Sequence, residues 1–86
     1  MIYSEFKEDE IIVVDLHGYT KDDAYVYLQN VLKTIQPQIK EIIIIHGYKN
    51  GNALMNMVRK EFKNKKVKRK FLSSNPGVTS FILKEN

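Results

Sequence analysis

The sequence contains no cysteine among its 86 residues. Disulfide bonds, thiolate metal sites and thiol chemistry are therefore excluded, and the composition fits a reducing compartment such as the cytoplasm. No apolar run approaches the roughly 18 residues that a membrane-spanning helix requires. The first ten residues are acidic and lack the apolar stretch of a signal peptide. We therefore expect a soluble, cytoplasmic protein.

The chain is nevertheless apolar enough to fold. Hydrophobic residues make up 43% of it and charged residues 28%, which separates it from a disordered tail. Its length suffices for one domain and not for two. We predict a single domain over residues 1–86, in which residues 1–10 form a flexible N-terminal segment.

Charge is distributed unevenly along the chain. Residues 1–45 carry four lysines against eight acids, and residues 46–86 carry ten basic residues against two acids, so a net charge of +4 divides into −4 and +8. Such an asymmetry suggests a face that meets a polyanion, of which nucleic acid is the commonest. The alternative is that the lysines only solvate the second half of the chain.

Hydrophobic periodicity outlines the first half of the fold. Two runs of β-branched residues, 11–14 and 42–45, are typical of strands buried on both faces. Between them, Thr20 opens a capping-box-like start, and apolar residues recur at helical spacing to about Ile35. Pro37 then ends this helix.

The second half continues in the same way. A glycine-containing loop leads into a second helix whose apolar stripe consists of Leu54, Met57, Val58 and Phe62. Residues 67–72 and 78–83 predict two further strands, joined by a turn at Asn75-Pro76-Gly77.

The resulting order is βαβαββ. Strands joined through a helix lie parallel, and strands joined by a short turn lie antiparallel. We therefore predict an α/β, two-layer sandwich, with a four-stranded mixed sheet and both helices on one face.

Groups suited to acid–base chemistry follow the first two strands. Asp15 and His17 come at the end of the first strand and His46 at the end of the second. Because ligands bind beyond the carboxyl ends of parallel strands, we predict that these three side chains converge on one accessible edge. A histidine titrates near neutral pH and can move a proton during phosphodiester cleavage. Alternatively, Asp15 caps its loop and the histidines are ordinary hydrogen-bonded residues.

The loop from Gly47 to Gly51 adds a second feature to this edge. It leads into a helix whose N-terminal amides favour an anion, and its Tyr48 could stack on a base. The glycines could also serve only to permit positive φ in turns.

These motifs resemble the Smr (small MutS-related) family over residues of about 11–83. The resemblance lies in Asp15-Leu16-His17-Gly18 after one strand and His46-Gly47-Tyr48-Lys49-Asn50-Gly51 after the next. The second motif usually reads His-Gly-x-Gly-x-Gly, so Lys49 stands where the family has its middle glycine. It could reshape the loop or add a charge that holds phosphate.

The resemblance implies a two-layer fold similar to the C-terminal domain of a bacterial translation initiation factor. Smr domains occur alone or at the C-terminus of MutS-like and pentatricopeptide proteins. Various members nick DNA or cleave RNA, some act on messages at collided ribosomes, and others only bind.

A run of basic residues marks the second half, where six of the eight residues 63–70 are lysine or arginine. Helix-end and edge-strand roles explain two or three of these charges, and we predict phosphate contacts for the rest. The predicted nucleic-acid-binding residues are Gly47, Tyr48, Lys49, Gly51, Arg59, Lys63, Lys65, Lys66, Lys68, Arg69 and Lys70. Replacing Lys65, Lys66, Lys68 and Lys70 is expected to weaken nucleic-acid binding and to leave stability almost unchanged.

Three functions remain open on the sequence. The first is an endonuclease acting on RNA or DNA, with Asp15 and His17 central and His46 assisting. The second is a non-catalytic module that binds nucleic acid or the ribosome, and the third is a protein-interaction domain. Asp15 and His17 lack an obvious third ligand for a structural metal, although a transient Mg²⁺ or Mn²⁺ held partly by phosphate fits the pattern.

Overall fold

The computed structural model describes residues 5–49 and 51–85. Four strands form one sheet: β1 (Ile11–Asp15), β2 (Glu41–Ile45), β3 (Val67–Leu72) and β4 (Val78–Leu83). The helical segments are α1 (Lys21–Thr34) and α2 (Ala53–Asn56), the latter continued by a π-helix (Met57–Glu61). One 3₁₀ turn, Glu8–Glu10, precedes β1.

The sheet has the strand order β1-β2-β4-β3. β1 and β2 are parallel, whereas β4 runs antiparallel to both of its neighbours. The predicted α/β fold with a four-stranded mixed sheet is thereby confirmed. Flexibility of residues 1–10 stays a prediction, since residues 1–4 lie outside the described part of the chain.

Helix α1 begins where the sequence predicts. The Thr20 hydroxyl accepts a hydrogen bond from the Asp23 amide at 3.2 Å, which caps the first turn. One face of the helix buries Ala24, Leu28 and Leu32 against the sheet. No helix in residues 5–49 and 51–85 is long and apolar enough to cross a bilayer.

The prediction that β1 is buried on both faces is wrong. Val13 is 59% exposed, whereas its neighbour Val14 is packed in the core. The reason is topological: β1 is an edge strand, and both helices contribute to the core on the Val14 side. In the central strand β2, by contrast, Ile42, Ile43 and Ile44 are all buried.

The second helix ends in a π-turn that the periodicity did not predict. The Phe62 amide donates to the Met57 carbonyl at 2.7 Å, an i to i+5 hydrogen bond. This wider turn still places Met57, Val58 and Phe62 in the core. Its last carbonyls are reached by the Lys70 ammonium, which lies 2.7 Å from Phe62 O and 3.3 Å from Arg59 O.

Candidate functional site

Asp15 and His17 form a contact pair at the carboxyl end of β1. Asp15 Oδ1 accepts a hydrogen bond from the His17 amide at 3.0 Å and lies 3.1 Å from His17 Nδ1. The His17 side chain is 86% exposed and that of Asp15 52%. The carboxylate therefore caps its loop and also contacts the imidazole, and a role of the pair in chemistry stays a prediction.

The charge on Asp15 is stabilised by this arrangement. The hydrogen bond from the His17 amide, reinforced by the one to its ring, holds the pKa of Asp15 below its ordinary value. A carboxylate that stays ionised is suited to orienting an imidazole and stabilising its protonated form.

A cleft of about 440 Å³ opens between the loop after β1 and the loop after β2. The loop after β1 and the start of α1 contribute His17, Gly18, Tyr19, Thr20 and Lys21. The loop after β2 and the start of α2 contribute His46, Tyr48, Lys49, Gly51, Ala53 and Leu54. The predicted convergence of the two strand ends is thus observed, with Asp15 behind His17 rather than in the cleft wall.

Two tyrosines present exposed rings from the two loops of the cleft. Tyr48, predicted as a stacking residue, is 47% exposed. Tyr19 is 39% exposed, and its ring packs against Tyr27 on α1 at a centroid distance of 5.4 Å. Sequence reasoning missed Tyr19, although its position directly after the Asp15–Gly18 motif was a usable signal.

His46 lines the cleft but is only 4% exposed, and both of its ring nitrogens have partners. Nδ1 lies 2.8 Å from the Gly47 carbonyl and Nε2 lies 2.8 Å from the Thr79 hydroxyl. Arg59 Nε donates to the same hydroxyl at 2.7 Å. Thr79 is fully buried in β4, and sequence reasoning missed it, although a hydroxyl in an apolar strand was a usable signal.

Burial is the main reason why the pKa of His46 lies below its ordinary value. The hydrogen bond to the Gly47 carbonyl opposes this effect, and the positive charge of Arg59 adds to it. The two histidines therefore differ in kind, one exposed beside a carboxylate and one buried in a polar network. A role for His46 in chemistry stays a prediction.

The turn between β3 and β4 contacts the loop that leaves β2. The Gly77 carbonyl accepts hydrogen bonds from the His46 amide at 2.9 Å and from the Gly47 amide at 3.0 Å. A Cβ on Gly77 would lie 3.3 Å from the Gly47 Cα. The sequence marked this residue only as part of a turn, whereas it also fixes one wall of the cleft.

The β2–α2 loop needs glycine at its two ends. Gly47 has φ +72° and Gly51 has φ +106°, both in the region that favours glycine. Asn50 lies outside the described residues. After this loop residues 53–56 are α-helical and residues 57–61 continue as the π-helix, and anion binding at the start of this segment stays a prediction.

The predicted basic residues divide into two groups. Lys66 Nζ donates to the Leu32 carbonyl at 2.6 Å at the end of α1, and Lys70 and Arg59 also make inward hydrogen bonds. The remaining residues of the run are exposed, namely Lys63, Lys65, Lys68 and Arg69. Lys66 and Lys70 are thus bound to backbone carbonyls at helix ends, the structural role expected for two or three charges of the run, and phosphate contacts for the others stay a prediction.

The exposed group does not lie at the cleft. Arg69 pairs with Ile82 and Lys65 lies near Leu83, at the end of β4 opposite to Val78 and the cleft. One strand length, roughly 17–20 Å, separates the two regions. We call Lys63, Lys65, Lys68 and Arg69 the basic end.

Within residues 5–49 and 51–85, no group of three or more histidine or acidic side chains is placed to hold a metal ion. A cation bound beside Asp15 would need ligands from substrate or water.

A family model described as the Smr domain matches residues 14–81. The match spans both strand-end motifs, the cleft and the β3–β4 turn. No curated protein and no solved structure matches the chain.

Proposed function

The chain belongs to the Smr domain family, which is nuclease-like and nucleic-acid-binding, and from this premise we propose that it is an endonuclease. In this proposal the cleft between the two loops receives the scissile phosphodiester of an RNA or DNA strand in the cytoplasm. The observation that carries it is the pairing of an exposed imidazole with an ionised carboxylate at the cleft mouth.

The proposed proton transfer uses the His17 ring. Asp15 holds Nδ1, so Nε2 is the nitrogen that takes a proton from the attacking oxygen, supplied by water or by a ribose 2′-hydroxyl. The imidazolium so formed is stabilised by the Asp15 carboxylate at 3.1 Å. The deprotonated oxygen forms its bond to phosphorus as the bond from phosphorus to the leaving oxygen breaks, and the leaving oxygen takes up a proton from water.

The rest of the cleft would bind the strand around the reacting phosphate. Lys49 is exposed in the β2–α2 loop, where it can contact a phosphate oxygen. Tyr48 and Tyr19 present rings on which unstacked bases can pack. His46 would assist cleavage only indirectly, as part of the cleft wall, because both of its ring nitrogens are engaged in hydrogen bonds there.

The basic end would hold the same strand away from the cleft. A strand that reaches from the cleft to Lys65 spans roughly 17–20 Å, which corresponds to about five or six nucleotides at the ~3.4 Å rise of a stacked duplex strand. Exposed lysines contact phosphates without reading sequence, so this end would supply salt-dependent affinity.

A cleavage assay tests this proposal. The purified protein is incubated with end-labelled single- and double-stranded RNA and DNA, with and without Mg²⁺ or Mn²⁺. We expect cleavage of at least one substrate by the wild type and its loss in the Asp15→Asn/His17→Ala double variant. Asp22→Asn, an exposed aspartate next to the cleft residue Lys21, is the matched control and is expected to cleave normally. Equal cleavage by the double variant would identify a contaminating nuclease.

The second candidate is a non-catalytic module that binds nucleic acid or the ribosome. Two observations favour it: Lys49 replaces a glycine of the usual motif, and the exposed basic residues lie away from the cleft. The two functions separate in the same assay, because a binding module retains salt-dependent affinity but cuts no substrate under any metal condition.

A further inference from the structure

A chain of hydrogen bonds runs from the π-helix to the cleft wall, and each group in it donates to the next. The Gly47 carbonyl can only accept, so His46 Nδ1 carries the proton and donates to it. In the neutral ring Nε2 then accepts, and its donor is the Thr79 hydroxyl. Arg59 Nε can only donate, so Thr79 Oγ1 accepts a hydrogen bond from it while the hydroxyl proton is directed to His46.

We propose that Thr79 and Arg59 are positioning residues that hold the His46 ring in one tautomer and one orientation, so that the ring fixes the loop bearing Tyr48 and Lys49. The effect of this network on cleavage rests on the proposed function, whereas the effect of the network on the ring and the loop does not.

The Gly47–Tyr48 segment is where this network acts on the cleft. The Gly47 amide is bound to the Gly77 carbonyl and the Gly47 carbonyl is bound to His46. The glycine is thus held on both sides in its positive-φ conformation. The direction in which the chain continues to Tyr48 and Lys49 is set at this point, and a small displacement here would move both side chains.

Arg59 is anchored firmly enough to serve as the start of the network. Its Nη2 donates to the Val78 carbonyl at 2.9 Å while Nε donates to Thr79, so two adjacent residues of β4 hold one guanidinium. Such a bidentate arrangement fixes the plane of the group. This contact explains why an arginine is placed on the π-helix and differs from the phosphate contact predicted for it.

The charges around His46 favour the neutral ring that the network requires. Arg59 approaches it from the π-helix, and the cleft side carries His17, Lys21 and Lys49. Of these, Lys21 is paired with Glu61 of the π-helix at 2.7 Å and His17 with Asp15 at 3.1 Å, so Arg59 supplies the main positive charge near the ring. The described cleft-lining residues include no carboxylate. Burial together with the Arg59 charge lowers the pKa of His46, in keeping with a ring that stays unprotonated near neutral pH.

The test uses ¹⁵N-labelled wild type, Thr79→Val and Thr79→Ser. Valine has the shape of threonine without the hydroxyl, and serine keeps the hydroxyl. Long-range ¹H–¹⁵N spectra of the wild type are expected to show His46 protonated at Nδ1 only. In Thr79→Val the Nε2 resonance and the Gly47 and Tyr48 amide resonances should shift, and Thr79→Ser should restore them.

Cleavage provides the second readout. We expect Thr79→Val to lower the rate at saturating substrate about tenfold or more, since misplaced binding groups reduce catalysis strongly. Thr79→Ser should come within about twofold of the wild type. If Thr79→Val does not fold, Arg59→Met and Arg59→Lys replace this pair, with lysine expected to rescue partially.

The outcomes separate the two claims. Protonation at Nε2 in the wild type, or unchanged Gly47 and Tyr48 resonances in Thr79→Val, would overturn the inference. Shifted resonances with an unchanged cleavage rate would overturn its effect on function. Spectra that behave as expected in a wild type that cuts nothing would instead support the positioning and contradict the endonuclease.

Discussion

Lys70 should behave as a structural residue, although it lies in a run of surface lysines. Its ammonium donates to the Phe62 and Arg59 carbonyls at the end of the π-helix and lies 5.5 Å from the centre of the Phe81 ring. Hydrogen bonds to charged groups contribute about 1.5–3 kcal/mol each, and a cation–π contact about 0.5–1 kcal/mol. Burial, which lowers the pKa of Lys70, offsets part of this stabilisation. We therefore expect Lys70→Met to destabilise the fold by about 2 kcal/mol.

The assay is urea unfolding followed by far-ultraviolet circular dichroism, together with thermal melts. A loss of about 2 kcal/mol corresponds to about 8–16 °C in Tm for a domain of this size. Lys68→Met on the same strand is the matched control, because Lys68 is exposed, and it should stay within about 0.5 kcal/mol of the wild type. Equal stability of the two variants would refute the assignment of Lys70 to the end of the π-helix.

Three further predictions concern the cleft. Gly77→Ala should lower activity with a loss of stability of about 1 kcal/mol or less, because its methyl group presses on Gly47 Cα; melts and cleavage rates measured side by side check this. Lys49→Gly, which restores the usual glycine, should retain cleavage, as a time course on the same substrate will show. The lowered pKa of His46 means that the unfolded chain takes up a proton first as the pH falls below about 6.5. The free energy of unfolding should therefore decrease below that pH, and urea titrations at several pH values should show a shallower decrease in His46→Gln.

Local patterns predicted much of the fold. The bounds of β3 and β4 agree with the predicted residues 67–72 and 78–83, because the Asn75-Pro76-Gly77 turn lies between them. Helix α1 starts after its Thr20 cap as predicted. The convergence of the ends of β1 and β2 followed from parallel pairing alone, since the two strands are joined through a helix.

What the sequence could not predict depends on contacts between distant segments. The position of β4 beside β2 buries His46 against Thr79, and nothing near either residue in the sequence indicates this pairing. The end of the π-helix is contacted by Lys70 from the neighbouring hairpin, a contact between segments that local sequence does not indicate. Within a run of lysines, the residues that turn inward have the same local pattern as those that remain exposed.

The strand-end residues also show which features local sequence predicts and which depend on distant segments. The spacing of Asp15 and His17 predicted two side chains on one side of the strand end, which is observed. His46, at the end of β2, is buried instead, because Thr79 of β4 packs against its ring. The two histidines therefore have different surroundings despite similar positions at strand ends.

If chemistry resides at the cleft and affinity at the basic end, one variant in each region should separate the two, and comparing them tests this division most directly. Saturating cleavage rate and affinity are measured for His17→Ala and for the triple variant Lys63→Gln/Lys65→Gln/Lys68→Gln. His17→Ala should lose about 10²–10⁴ in rate with affinity within a few-fold. The triple variant should keep its saturating rate within about twofold while binding more weakly and with a flatter salt dependence. A His17→Ala protein that cuts as fast as the wild type, or a triple variant with unchanged salt dependence, would contradict the account.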